Sequence, residues 1–177
     1  LVLACGHSAR DTFELLARLG VPMERKPFAV GVRIEHPQSL IDRSQYGAAA
    51  GHPALGAARY KLAVRDAAGR GAYTFCMCPG GTVVSAASEP GGVCVNGMSL
   101  HSRSGANANS ALLAEGAPGD LPGTDPLAGV AFQRRIEQQA CELAVGTGAA
   151  PYASPAQTVG GFLAGRAGQP STLLEPT

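Results

Sequence analysis

Tryptophan is absent from this chain of 177 residues, and only 4 tyrosines and 5 phenylalanines are present. A surface that stacks bases needs aromatic faces, so the scarcity argues against a binder of single-stranded nucleic acid. Charge is scarce too: Lys, Arg, Asp and Glu make up 15% of the residues, against a usual share of about 25%. The formal net charge is +1, which supplies no field to attract a polyanion or an anionic membrane. No stretch approaches the roughly 20 apolar residues of a membrane helix, and none resembles a secretion signal. The 5 cysteines, at 5, 76, 78, 94 and 141, are odd in number and scattered. They do not read as a disulfide framework, and a reducing cytoplasm is the expected compartment. No Ser/His/Asp spacing, paired-carboxylate motif, Walker-type loop or metal-ligand set is present.

The chain is rich in turn formers, with 24 glycines and 13 prolines. Its most informative stretch is the first eleven residues, LVLACGHSARD. A short apolar run (1–4) meets the small turn Cys5-Gly6-His7-Ser8 and then a helical pattern over 10–19. That is a strand, a turn stripped of bulk, and a helix, with Ser8 as the expected N-cap, Asp11 at the capping-box spacing and Gly20 as the C-terminal stop. Such a turn lets backbone approach a ligand, and the helix start aims N–H groups at negative charge. His7 is placed to donate to a phosphate or ribose, and Arg10 to add positive charge. A chain that opens in mid-strand also reads as a piece of a larger protein.

Residues 28–35 alternate, with Phe28, Val30, Val32 and Ile34 on one face, as in a half-buried strand. A short helix or turn follows Pro37, and a weakly specified surface loop spans 47–58. Strands are expected at 60–65, 72–78, 82–87 and 93–98, joined by tight Gly-containing turns at 67–71 and 89–92. The run NGMSLHSRSGANANS at 96–110 is too polar for a core and too uncharged for an ordinary solvated face. Its Asn107 and Asn109 suggest recognition of a neutral or heterocyclic ligand, or a turn held by side-chain hydrogen bonds. Asp125-Pro126 opens the strongest helical pattern, 126–145, with Asp125 as N-cap and Pro126 at the first position. Ser154-Pro155 repeats that signal before 156–163. The expected fold is α+β: a mostly antiparallel or mixed sheet packed against helices.

Two further features stand out. Cys76 and Cys78 share a strand face, where they are two small packed side chains, thiols beside a cofactor, or metal ligands lacking obvious partners. Their spacing along a strand is at the far edge of disulfide reach. The loop Pro79-Gly80-Gly81 removes side chains where something flat could lie, or makes an ordinary β-turn. His36 and His101 are isolated, and His52 lies in the loop expected to be inert.

The segments GHSARDTFELL, KPFAVGVRIEHPQSLID, FCMCPGG-VVSAASE-GG-VNGMS, NANSALL and DPLAG-FQR-IE together resemble consecutive motifs of the uncharacterised bacterial FAD-dependent dehydrogenases, relatives of the glutathione-reductase-type flavoproteins. The resemblance runs from Leu1 to about Leu163. It implies a Rossmann-type FAD domain interrupted by a second, sheet-containing domain. Residues 1–25 would be a returning strand, turn and helix of the FAD domain. Residues 26–165 would be the inserted, substrate-facing α+β domain, and 166–177 a disordered tail. Cys5-Gly6 stands where such flavoproteins carry Thr-Gly or Gly-Gly. The family's Gly-rich fingerprint is not in this chain, nor is the Gly-rich segment expected to close over the flavin. The implied cofactor is FAD in the intact protein, with little FAD bound by this piece alone. The implied FAD-facing residues are Gly6, His7, Ser8, Arg10, Pro79, Gly80 and Gly81, with Asn107 and Asn109 as a weaker third group. The implied partners are the rest of the same protein and a small-molecule substrate, with homo-oligomer formation left open. The competing reading is a cofactor-free binding or interaction module.

Overall fold

Alternation along the sequence of β1 (Phe28–Pro37) marks it as a strand, and it forms, as does the expected strand β3 (Gly71–Cys78). The structure, a computed structural model, describes residues 2–146, 148–150 and 152–166. Helix α1 (Arg10–Arg18) precedes β1, and α2 (Gln38–Tyr46) follows it directly, leading into a 3-10 turn at Gly47–Ala49. The short β2 (Ala63–Arg65) pairs antiparallel with β3, and β4 (Gly81–Ser85) with β5 (Val95–Ser99). Then come β6 (Asn107–Gly116), α3 (Ala128–Gly146) and α4 (Val159–Leu163).

The main sheet has strand order β1-β6-β3-β2 and is antiparallel throughout; β4 and β5 make a separate two-stranded sheet. The α+β architecture therefore holds. Local signals account for much of it. Gly20, with φ 72, donates to the Ala17 carbonyl while Val21 donates to Leu16, so α1 ends in the paired reverse bonds of a Schellman stop. Asp66 Oδ1 accepts from the N–H groups of Ala68 and Arg70, closing the β2–β3 turn around Gly69. Asp125 Oδ1 accepts the Leu127 N–H just ahead of α3.

The largest departure is β6. The end of the polar run, 107–110, expected to belong to a ligand-binding loop or turn, instead opens an interior strand of the sheet, paired with β1 on one side and β3 on the other, while 96–99 fall in β5 and 100–106 remain outside the strands. Asn107, Ala108, Asn109 and Ser110 are all buried. Each of the three buried polar side chains has at least one partner, though Asn109 Nδ2 has none. Asn107 Nδ2 donates to Glu35 Oε1, Asn109 Oδ1 accepts from Arg33 Nη1, and Ser110 Oγ donates to the Phe75 carbonyl at 3.2 Å. Polar groups are tolerated inside when so paired.

Other expectations shift as well. Residues 2–5 form no strand, and Leu1 lies outside the described residues; with no neighbouring strand to take their backbone groups, Val2 and Leu3 are exposed. Ser8 does not cap α1: the N-cap position is Ala9, with no side-chain hydrogen bond, and Asp11 bonds the adjacent Thr12 N–H. Residues 60–62 lie outside β2. The short α4 is capped by Thr158, whose Oγ1 accepts the Gly161 N–H, and not by Ser154-Pro155. Along β3 the register slips between Phe75 and Cys78, and Cys76 takes a positive φ of 46. This bulge breaks the alternation that would have put the two thiols on one face. Both are free, as are the other cysteines. The expected tail at 166–177 lies outside the described residues apart from Arg166.

Helix α3 meets the sheet at its margins. Phe132 stacks at an angle on Phe28, ring centroids 6.1 Å apart, and the Glu137 carbonyl accepts the Val93 N–H beyond the hairpin tip. Its Ile136, Leu143 and Val145 remain exposed.

Candidate functional site

The residues singled out by sequence fall into two groups. Hairpin β4–β5 separates them, with Gly81 at its root and the turn at 89–92 at its tip.

At the tip, Arg10 is 3% exposed. Its guanidinium donates to Glu89 Oε2 and to both carboxylate oxygens of Glu137, at 2.9 and 2.7 Å on the latter. Arg134 on α3 bridges the same Glu89 at 2.8 Å and Glu14 on α1 at 2.9 Å. One ion network thus clamps α1, the hairpin turn and α3. Glu137 in particular raises the Arg10 guanidinium above its usual range, against burial, with Glu89 adding to the effect. The positive charge expected to face a ligand is therefore met inside the protein. His7 Nε2 bonds Gln133 Oε1 at 2.9 Å on the surface. Gly6 has φ 83, and a Cβ placed there would meet nothing within 4 Å. The amides of Gly6, His7 and Ser8 donate to no described group.

Hydrogen bonds from Arg134, helped by Arg10, hold the Glu89 carboxyl down at about 2 from an ordinary 4.5, although burial opposes them. A depressed folded-state pKa contributes stability above about 4.5 and loses it as pH falls toward about 2. Glu89→Gln should therefore destabilise the protein near neutrality, and the gap from wild type should close across that acid window. Thermal unfolding of both proteins over a pH series checks this; a gap independent of pH would count against the clamp.

At the root, Pro79, Gly80 and Gly81 form a hub. Gln38, buried at the start of α2, accepts the Gly80 N–H at 2.8 Å while donating to Asp42 and to the Ala58 carbonyl. Ser99 Oγ donates to the Pro79 carbonyl at 2.7 Å, and Gly105 N–H to the Gly80 carbonyl at 3.2 Å. The two glycines are buried. A Cβ at Gly80 would overlap the Arg103 carbonyl, and one at Gly81 would lie 2.7 Å from Ser99 Oγ. The space left by the missing side chains is filled by this chain's own 98–105 segment. Open space lies alongside, in a groove of about 620 Å³ bordered by Met77, Cys78, Pro79 and residues 99–103.

Asn109 sits behind Cys78, its partner in the β3–β6 register. Arg33, on β1, reaches Asn109 Oδ1, the Cys76 carbonyl at 3.3 Å, Asn96 Oδ1 at 3.4 Å and Cys78 Sγ at 4.0 Å. None of these acceptors carries a formal charge, and Asn109 Nδ2 is buried with no partner. Gln38 and Arg33 were missed; the available signal was a lone cation inside an apolar alternation. His36 bonds Tyr60 at 2.7 Å and is held below its ordinary pKa by burial, a packed histidine. The hydroxyl of Tyr60 is pushed up by burial as well. Among the described residues no group of His, Cys, Asp and Glu could hold a metal ion, and no helix is long and apolar enough to cross a membrane.

No hydrogen bond between described residues joins a nucleophile to a base at either cluster, although Cys78 and His101 both border the groove. Fold and site define an α+β domain with antiparallel sheets and an open groove beside the root of its β4–β5 hairpin. The chain belongs to the family described as FAD-dependent protein, C-terminal domain-like, which matches residues 27–177. An uncharacterised protein of Clostridium beijerinckii (strain ATCC 51743 / NCIMB 8052) is 52% identical over 167 residues, covering 94% of this chain and 31% of that relative. The chain thus spans about a third of the relative's length. The kinship with FAD-dependent proteins read from the sequence motifs is borne out at the level of the family.

Proposed function

We propose that this domain serves an FAD-dependent oxidoreductase, a dehydrogenase of the cytoplasm, as its substrate-side part. The observation that carries the reading is the family match across 27–177. When bound, FAD supplies the hydride or electron transfer, and the protein's contribution is position and electrostatics.

The two clusters fit the cofactor unequally. The turn Gly6-His7-Ser8 offers three unpaired amides beside open space, which suits an anionic moiety. Arg10 fixes that turn's helix to α3 and acts as a positioning residue. Gly80 and Gly81 do not present an open flat surface, so the groove beside Pro79 is the better berth for a planar group. Asn107 and Asn109 stand behind it and hold Glu35 and Arg33 in place.

The test is flavin content of the full-length protein, read by absorbance after gentle purification. Wild type and His52→Ala should carry flavin, and Gly6→Val should lose most of it. Valine at φ 83 also strains the turn, so Gly6→Asn, which tolerates left-handed backbone, separates bulk from strain. Full flavin content in both Gly6 variants would remove the turn from the site. A colourless wild type would sink the FAD reading.

A further inference from the structure

The face of the main sheet turned away from the β4–β5 hairpin is apolar across all four strands. Residues paired in register point the same way. One cross-strand row is Val32, Leu112 and Thr74, continued by Leu62, whose carbonyl accepts the Thr74 N–H. The next is Val30, Ala114, Ala72 and Val64. Neither row contains a charged side chain. Phe132 of α3 covers this face at Phe28, and Tyr60 covers it at His36. Between them Val32 is 67% exposed, Val64 66%, Leu62 62% and Leu112 44%. Burial of Val32, expected from its alternation, is thus not achieved within this chain.

The rest of the molecule points the same way. Among the described residues the buried apolar ones are Ala58, Val93, Ala108 and Ala144, with no Leu, Ile, Phe or Met among them. Exposed large side chains also occur on α1, α3 and α4, at Leu15, Leu143 and Phe162. A second copy docked face to face would cover the sheet and leave those. A partner that wraps several sides is needed, and the relative has about two thirds of its length beyond the matched region.

We propose that the Val32–Leu112–Leu62 and Val30–Val64 rows are the seat on which the remaining part of a longer polypeptide packs, through an apolar surface of its own. The inference rests on the functional reading only in placing the domain inside a longer protein. It concerns a face opposite the groove and hairpin, and so gives the sheet a second role as an interdomain floor.

Cysteine placed at 32 or 112 of the full-length protein tests it, through the rate of thiol labelling in the native protein relative to the same protein in urea, mapped to its peptide by mass spectrometry. Near-complete loss of native labelling at both positions, unchanged on dilution, is the expected result. Native rates close to the unfolded ones would overturn the proposal, and so would protection that disappears on dilution, which marks a second copy. Should Val32→Cys or Leu112→Cys fail to fold, carbene footprinting of the unaltered full-length protein reads the same side chains. Flavin absorbance on the same samples keeps the two readings apart: protection without flavin retains the interface and discards FAD, and flavin without protection does the reverse.

Discussion

Replacing Arg10 with Met should lower stability by about 3 kcal/mol, the usual scale for removing one partner of a buried ion cluster. The methionine keeps the stem's packing but leaves Glu89 and Glu137 facing each other, with only Arg134 to offset them. The loss should appear as a lower denaturant midpoint with unchanged slope. Combining Arg10→Met with Glu137→Gln should cost less than the two changes added together, since the second removes the charge stranded by the first. Arg70→Met is the contrast. Its pair with Asp120, at 2.8 Å, is half in solvent, and the midpoint should barely move. Equal effects at positions 10 and 70 would mean that the clamp is a surface feature.

Gly80→Ala should be more damaging still, costing about 4 kcal/mol or abolishing folding, because two independent faults coincide. The backbone at Gly80 has φ 52, a region unfavourable to alanine, and the added methyl group would overlap the Arg103 carbonyl. Relief would require moving the 103–105 segment and breaking the Gly105 N–H bond to the Gly80 carbonyl. Gly91→Ala serves as the reference: φ is 74, but nothing lies within 4 Å of the added group, so it carries the strain without the overlap. Urea unfolding of the two variants separates the terms, and equal losses would show that close packing at the hub is unimportant.

Residues whose conformation depends on near neighbours were legible. Alternation marked β1, Gly20 marked the end of α1, and the Gly-containing stretch 67–71 marked the turn between β2 and β3, with β3 expected as the partner beyond it. Residues whose surroundings are distant were not. Asn107, Asn109 and Ser110 look like loop residues within any short window, because Glu35, Arg33 and the Phe75 carbonyl that satisfy them are 72, 76 and 35 positions away. Arg10 looks like a solvated helix residue for the same reason, with its carboxylates 79 and 127 positions off. Val32 shows a different limit. Period two assigns a side chain to a face, but it does not say whether that face is covered. In the candidate site, the conspicuous small residues at 79–81 proved to be buried at the root of the β4–β5 hairpin. Their smallness answers to the protein's own backbone, and the open groove lies one step to the side.

The interior position of β6 also sets the order in which the sheet can be completed. Strand β1 pairs with β6 alone, and its Phe28 lies opposite Gly116. During synthesis, β1 and the far side of β3 both present unpaired edges until the chain has been extended through residue 116. The β2–β3 and β4–β5 hairpins close locally and early, but the sheet waits for one late insertion between two strands already made. A nascent chain halted before β6 therefore has two open strand edges beside an uncovered apolar face, the combination most prone to pairing with a neighbour.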